Sequence, residues 1–165
     1  MLNTGLLILR IVLGLIFMGH GSQKLFGLFG GAGLKGTIQW IDSMGLRPSW
    51  FWGLAASLSE FAGGLLLALG FLNPIGSLGI IAAMVVAIVQ VHLPHGFWNT
   101  KGGIEFPLTN IAAALALAFA GPGKYSIDGA IGFSLPEPIT LVLGLALVLA
   151  GFIVSQATRT KIAKV

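Results

Sequence analysis

The chain has 165 residues, 56% of them hydrophobic and only 8% charged, with a mean hydropathy of +0.96; soluble domains carry about 25% charge, so an ordinary soluble domain is excluded and an integral membrane protein is indicated. There is no cysteine, which rules out disulfides, thiolate zinc sites, cysteine-ligated iron–sulfur clusters and a cysteine redox centre. The net charge is +4, but the basic residues form no stripe and lie mostly in loops and the tail, as membrane topology requires, so no nucleic-acid partner is expected.

The length suits a single membrane domain over residues 1–165. Met1-Leu2-Asn3-Thr4 is not a basic leader, and no small-residue cleavage site follows the first apolar run, so the first helix is expected to be retained. That helix is predicted from about Thr4 to Leu28, long enough at about 1.5 Å per residue to cross a core of about 30 Å. A short amphipathic helix should follow, because Leu34, Ile38, Ile41 and Trp40 fall on one side and Lys35, Gln39 and Asp42 elsewhere; such a segment lies in the interface or caps the bundle. Gly30-Gly31-Ala32-Gly33 follows no strand and is not a nucleotide loop.

The second long helix is predicted from about Pro48 to Phe71, with Pro48 at a first helical position that needs no N–H. Asn73-Pro74 is a turn signal, and a third helix runs from about Pro74 to Leu93. A fourth runs from about Ile104 to Ala120, with Pro107 in its first turn, and Gly121-Pro122-Gly123 ends it. A fifth apolar run, Ile139 to Ser155, lies at the short end of the spanning range and is read as a fifth spanning helix; the alternative is a peripheral or tilted helix on a four-helix core. With five spans, Lys24, Lys35, Arg47, Lys101, Arg159, Lys161 and Lys164 share one side, against Lys124 and Arg10 on the other. The positive-inside rule then puts the C-terminus in the cytoplasm and the N-terminus outside.

Arg10, His20, Lys24, Glu60, His92 and Glu105 are ionisable residues in or beside long apolar runs. A charge at mid-helix costs about 2.5–3.5 kcal/mol on insertion scales, so these side chains should face the bundle interior and mark any site. Helix direction puts His20, Lys24, His92, His95 and Glu105 at one end, with Glu60 pointing into the middle and the Trp40 segment as a roof. The expected product is a pocket polar at one end, apolar below and open to lipid-soluble ligands. Proton-coupled chemistry on a quinone-like ring suits these groups, since His works near neutral pH and a partly buried Glu can be tuned toward it. Glu60, Glu105 and His20 are the candidate catalytic residues. Lys24, His92, His95, Trp40, Trp98 and Gln23 are the candidate ligand-binding residues, with Phe17 and Phe26 as further ring contacts. The plain structural alternative is that Glu60 pairs with Arg10 or Lys24, and Glu105 with a His or Lys, only to hold helices together. No paired histidine spacing supports haem, and His92, His95 and Glu105 form a ligand set that arises readily by chance; no metal site is assigned.

Several stretches in order carry a resemblance. They are Arg10-Ile11-Val12-Leu13-Gly14, Gly19-His20-Gly21, Gln23-Lys24-Leu25-Phe26-Gly27 and Glu60-Phe61-Ala62-Gly63-Gly64 running on to Gly70. Met84, His92, Gly96-Phe97, Gly103-Ile104-Glu105 and Gly121-Pro122-Gly123-Lys124-Tyr125-Ser126-Ile127-Asp128 complete the series. Together they resemble the DoxX family of small bacterial membrane proteins, over a core of about residues 6–128. The resemblance implies an all-α, four-helix transmembrane bundle in the bacterial cytoplasmic (inner) membrane. The family takes its name from a subunit of a thiosulfate:quinone oxidoreductase, and other members are linked to quinone detoxification or oxidative stress. The additional helix at about 139–155 goes beyond the usual four and could dock a partner protein. The expected function is a quinone-linked oxidoreductase component with a bound quinone, no covalent cofactor, and a redox partner protein in the bilayer; a non-catalytic accessory subunit is the competitor, and a homo-oligomer stays open.

Overall fold

The computed structural model describes residues 1–160. Among the described residues seven α-helices follow one another: α1 (Leu2–Phe26), α2 (Gly33–Ser43), α3 (Ser49–Leu69), α4 (Ile75–Ala87), α5 (Glu105–Ala120), α6 (Ile127–Ile131) and α7 (Ile139–Ala157). α4 continues through a π-helical turn, Ile88–His92, and a 3₁₀ turn, Leu93–His95. Helices α1, α3, Ile75–His95 and α7 are long and apolar enough to cross a membrane. The family of elements is therefore the expected all-α membrane bundle with a short helix between its first two long helices.

The fifth apolar run is a candidate span, as the sequence reading has it, and the fourth is shorter than expected. The run that looked short, α7, extends to 19 residues and qualifies as a span, whereas α5 has 16 and covers about 24 Å. The cause is local. Asn99–Lys101 forms a 3₁₀ turn, and the backbone of Gly96 and Phe97 pairs with Ile104 and Glu105, so the chain before Glu105 is a folded loop.

The spine is the pair α1 and α3, and glycine makes it. A Cβ at Gly14 would lie 2.6 Å from the Gly64 carbonyl oxygen, and one at Gly64 would lie 2.6 Å from the Gly14 oxygen. Gly21 likewise abuts the Phe61 backbone. Such small faces allow backbones to meet where lipid offers no hydrophobic drive to associate. α3 and α4 repeat the device, with Gly79 against the Ser59 carbonyl and Gly76 against Gly63. Leu13, Phe17, Leu67, Ile80, Ile81, Met84, Ala114 and Leu117 fill the space between α1, α3, α4 and α5. α7 packs outside α4, joining Leu141 to Leu78 and Ala118.

The two ends differ. At the end holding the α3–α4 turn, Arg10 is 2% exposed and donates to the Ala68 carbonyl at 3.0 Å and the Tyr125 carbonyl at 2.5 Å. Gly70 ends α3 at φ 62, leaving room for Arg10 and Ser126 where a Cβ would sit. The Asp128 carboxylate accepts the Leu72 and Asn73 N–H groups at 3.0 and 2.9 Å. Arg10 therefore does not pair with Glu60. At the opposite end, α2 sits against α1 and α3, with the Thr37 hydroxyl donating to the Lys24 carbonyl at 3.2 Å. α7 finishes there too: Arg159 Nε donates to the Met44 carbonyl at 3.0 Å and the Thr160 N–H to Gly45 at 2.9 Å. The α1–α3 connection and the C-terminal end of α7 thus share one end of the molecule. Lys161 and Lys164 lie outside the described residues.

Candidate functional site

A cavity of about 460 Å³ opens between α2, α3, α4 and α7, reached by Lys24 from α1. This is within the size range of small-molecule sites, roughly 300–1,000 Å³. Its walls are mostly apolar, including Ile75, Leu78, Leu147 and Phe152. Three side chains bring charge or an amide to it: Lys24, Glu60 and Gln90.

The Lys24 ammonium and the Glu60 carboxylate form an ion pair through Oε2. Glu60 is 5% exposed and Lys24 25%, and Oε2 has no hydrogen-bond partner apart from this pairing. The small residues of α3 create the position, since Gly63 and Gly64, on the turn after Glu60, hold α4 and α1 close. A buried charge stripped of its partner is strongly unfavourable, so the pair forms a unit with one carboxylate edge and further ammonium N–H groups to offer. Ser57 and Ser59 donate to the carbonyls four residues back, at 2.7 Å each, and so return their protons to their own helix.

Of the residues singled out in the sequence, Lys24, Glu60 and Trp40 meet at this cavity. His20 is exposed, with its ring 6.4 Å from that of Phe17. Gln23 donates to the Phe29 carbonyl at 3.3 Å, bracing the turn after α1. His92 Nδ1 lies 2.7 Å from the Gly102 carbonyl, and His95 Nδ1 lies 2.9 Å from that of Val91. The Glu105 carboxylate accepts the Asn99 N–H at 2.9 Å, in place of the predicted His or Lys. Trp98 is exposed and stacks edge-on against Phe97. These last four side chains shape the α4–α5 loop and do not line the cavity. Phe17 is buried in the core, and Phe26 packs edge-on against Phe61. No group of three or more His, Asp or Glu side chains able to hold a metal ion occurs among the described residues.

The structure adds Gln90 and Trp52 to the lining. Trp52 spends its indole N–H on the Arg47 carbonyl at 3.1 Å and presents its apolar body. Both Gln90 amide atoms are buried without a partner. The sequence holds one signal for Gln90, an uncharged polar residue late in an apolar helix. The π turn that positions it has no signature there.

Fold and site define a helical membrane protein with an apolar cavity polarised by one buried ion pair. The DoxX family model matches residues 5–93, and the chain belongs to the DoxX family. It is 32% identical over 126 residues to CatD of Bacillus subtilis, provisionally named an oxidoreductase, covering 76% of this chain and 86% of that one. Two inner membrane proteins of Escherichia coli are comparable. YphA is 30% identical, covering 74% of this chain and 87% of its own, and YqjF is 31% identical, covering 76% and 91%. No solved structure is a significant match.

Proposed function

We propose that this chain is the quinone-binding component of a membrane oxidoreductase, holding a quinone-type ring in the cavity beside Lys24 and Glu60. The observation that carries the reading is the ion pair on the wall of an otherwise apolar cavity. A quinone has that same polarity pattern, two oxygens on an apolar ring with a lipid-soluble tail. Its reduction takes up two electrons and two protons; the ammonium of the pair can hand a proton to a reduced ring oxygen, and the unit of negative charge this leaves on the pair is removed when the amine takes a proton back from solvent. Electrons would come from a partner protein or a diffusible reductant, since quinone chemistry needs a donor. Trp40 and Trp52 supply aromatic surface for the ring. CatD's provisional oxidoreductase name points in the same direction.

The names of YphA and YqjF support placement in a bacterial inner membrane. The end bearing α2 also carries Lys24, Lys35, Arg47 and Arg159, which favours that end facing the cytoplasm. The test is mass spectrometry of the organic extract of protein purified in mild detergent, quantified against protein. A quinone near one per chain, lost in Glu60→Gln, supports the reading. Absence of quinone together with a tightly retained partner polypeptide would replace it with a non-catalytic accessory subunit.

A further inference from the structure

We propose that the cavity selects the reduced, hydroxyl-bearing form of its ring ligand over the oxidised quinone, and that Gln90 reads the difference. The inference rests on the quinone-binding reading and goes further, naming the redox state bound and the residue that recognises it.

Gln90 sits at the centre of the π turn Ile88–His92 and lines the cavity. Turns of this kind carry an extra residue and recur at functional sites. His92 ties this turn across the loop to the Gly102 carbonyl, and His95 contacts the Val91 carbonyl within the turn itself, so the segment bearing Gln90 is held in place. Yet its Nε2 and Oε1 are both buried with no partner. Buried polar groups are nearly always satisfied, and an exception needs a cause. A ligand that supplies the missing partners is that cause.

The chemistry of the unpaired atoms sets the ligand. A carboxamide offers donors on nitrogen and an acceptor on oxygen, while an ionised carboxylate only accepts. Glu60 Oε2 already takes the Lys24 ammonium, so the acceptor in need of a donor is Gln90 Oε1, beside its equally unpaired Nε2. A quinone oxygen can only accept. It can satisfy Gln90 Nε2 or Lys24, but it leaves Gln90 Oε1 without a donor. A phenolic hydroxyl donates and accepts, so it can serve an acceptor and a donor at once. Sites built to bond a hydroxyl reject analogues that lack it, because their own polar groups are then left unpaired.

The experiment uses the full chain in lipid nanodiscs under anaerobic conditions. Three probes are titrated by quenching of tryptophan fluorescence, to which Trp40 and Trp52 contribute: a decyl-substituted benzoquinone, its quinol, and the quinol's dimethyl ether. The quinol is expected to bind at least about tenfold more tightly than the quinone or the ether. Gln90→Leu should cut that preference by about fivefold, the worth of one net hydrogen bond. Its ligand-free unfolding temperature should stay equal or rise, because the substitution removes an unpaired amide. Quinone binding as tight as quinol, or a preference untouched by Gln90→Leu, would overturn the selection while leaving quinone binding in place. Failure of all three probes to bind would overturn both readings. A lower ligand-free unfolding temperature in Gln90→Leu would show that the amide is paired without ligand and would remove the basis of the inference.

Discussion

Asp128→Ala is the sharpest test of how the bundle is closed at the end away from the cavity. Asp128 is 2% exposed and its two oxygens hold consecutive backbone N–H groups, Leu72 at 3.0 Å and Asn73 at 2.9 Å. Leu72 is held at φ 55, a left-handed conformation that costs a side-chain-bearing residue about 1–2 kcal/mol. The carboxylate therefore clamps a strained turn between α3 and α4. Hydrogen bonds to a charged group contribute about 1.5–3 kcal/mol each, so alanine should cost about 3–6 kcal/mol. Total stabilities are commonly about 5–15 kcal/mol, so this is a large share. Asp128→Asn keeps one accepting oxygen and should lose about half as much. Adding Leu72→Gly to Asp128→Ala should recover about 1 kcal/mol, because glycine adopts positive φ without penalty. Reversible denaturation in detergent, followed by tryptophan fluorescence, gives all three values. A loss below about 1 kcal/mol for Asp128→Ala, or no recovery from Leu72→Gly, would refute the clamp.

Two further substitutions separate packing from binding. Gly21→Ala should destabilise by about 1–3 kcal/mol, since its methyl must displace the Phe61 backbone. Gly19→Ala on the same helix meets open space and should be neutral or slightly stabilising; equal unfolding temperatures for the pair would contradict the close α1–α3 approach. Gly151 lines the cavity, and a Cβ there meets nothing within 4 Å. Gly151→Leu should therefore fill the site, abolishing retention of quinone in the organic extract while leaving the unfolding temperature unchanged within a few degrees; undiminished retention would place the ligand elsewhere.

The helices were legible because lipid allows few alternatives. An apolar run bounded by Pro and Gly must be helical to satisfy its own backbone, and Pro48, Pro74 and Gly70 sit within a residue or two of the ends of α3 and α4. Glu60 was legible as an intramembrane carboxylate on a small-residue face, and Lys24 was named as one of its two candidate partners. Geometry that arises only in three dimensions was hidden. Arg10 and Glu60 both lie in spanning helices, but the antiparallel packing of α1 and α3 sets Gly14 opposite Gly64. That register puts Lys24 level with Glu60 and sends Arg10 to the far end. His92, His95 and Glu105 each commit one polar atom to the backbone of the α4–α5 loop region, and a sequence shows which polar groups exist without showing which are already engaged. Gln90 is the converse: an uncharged residue in sequence, its amide buried without a partner within a π turn.

The α3–α4 turn and the cavity use their polar groups differently. At the α3–α4 turn, Asp128 spends both carboxylate oxygens on the chain itself and Arg10 spends two donors there. At the cavity, Glu60 has one partner and Gln90 none. The wall supplied by α7, through Gly144, Leu147, Val148, Gly151 and Phe152, lies beyond the residues 5–93 that match the family model. The ion pair on α1 and α3 and the amide at the end of α4 all fall within that match. The polar chemistry of the site is thus carried by the family segment, and the cavity's width and lateral closure by α7. Substitutions confined to α7 should therefore change the cavity's width while leaving Lys24, Glu60 and Gln90 in place.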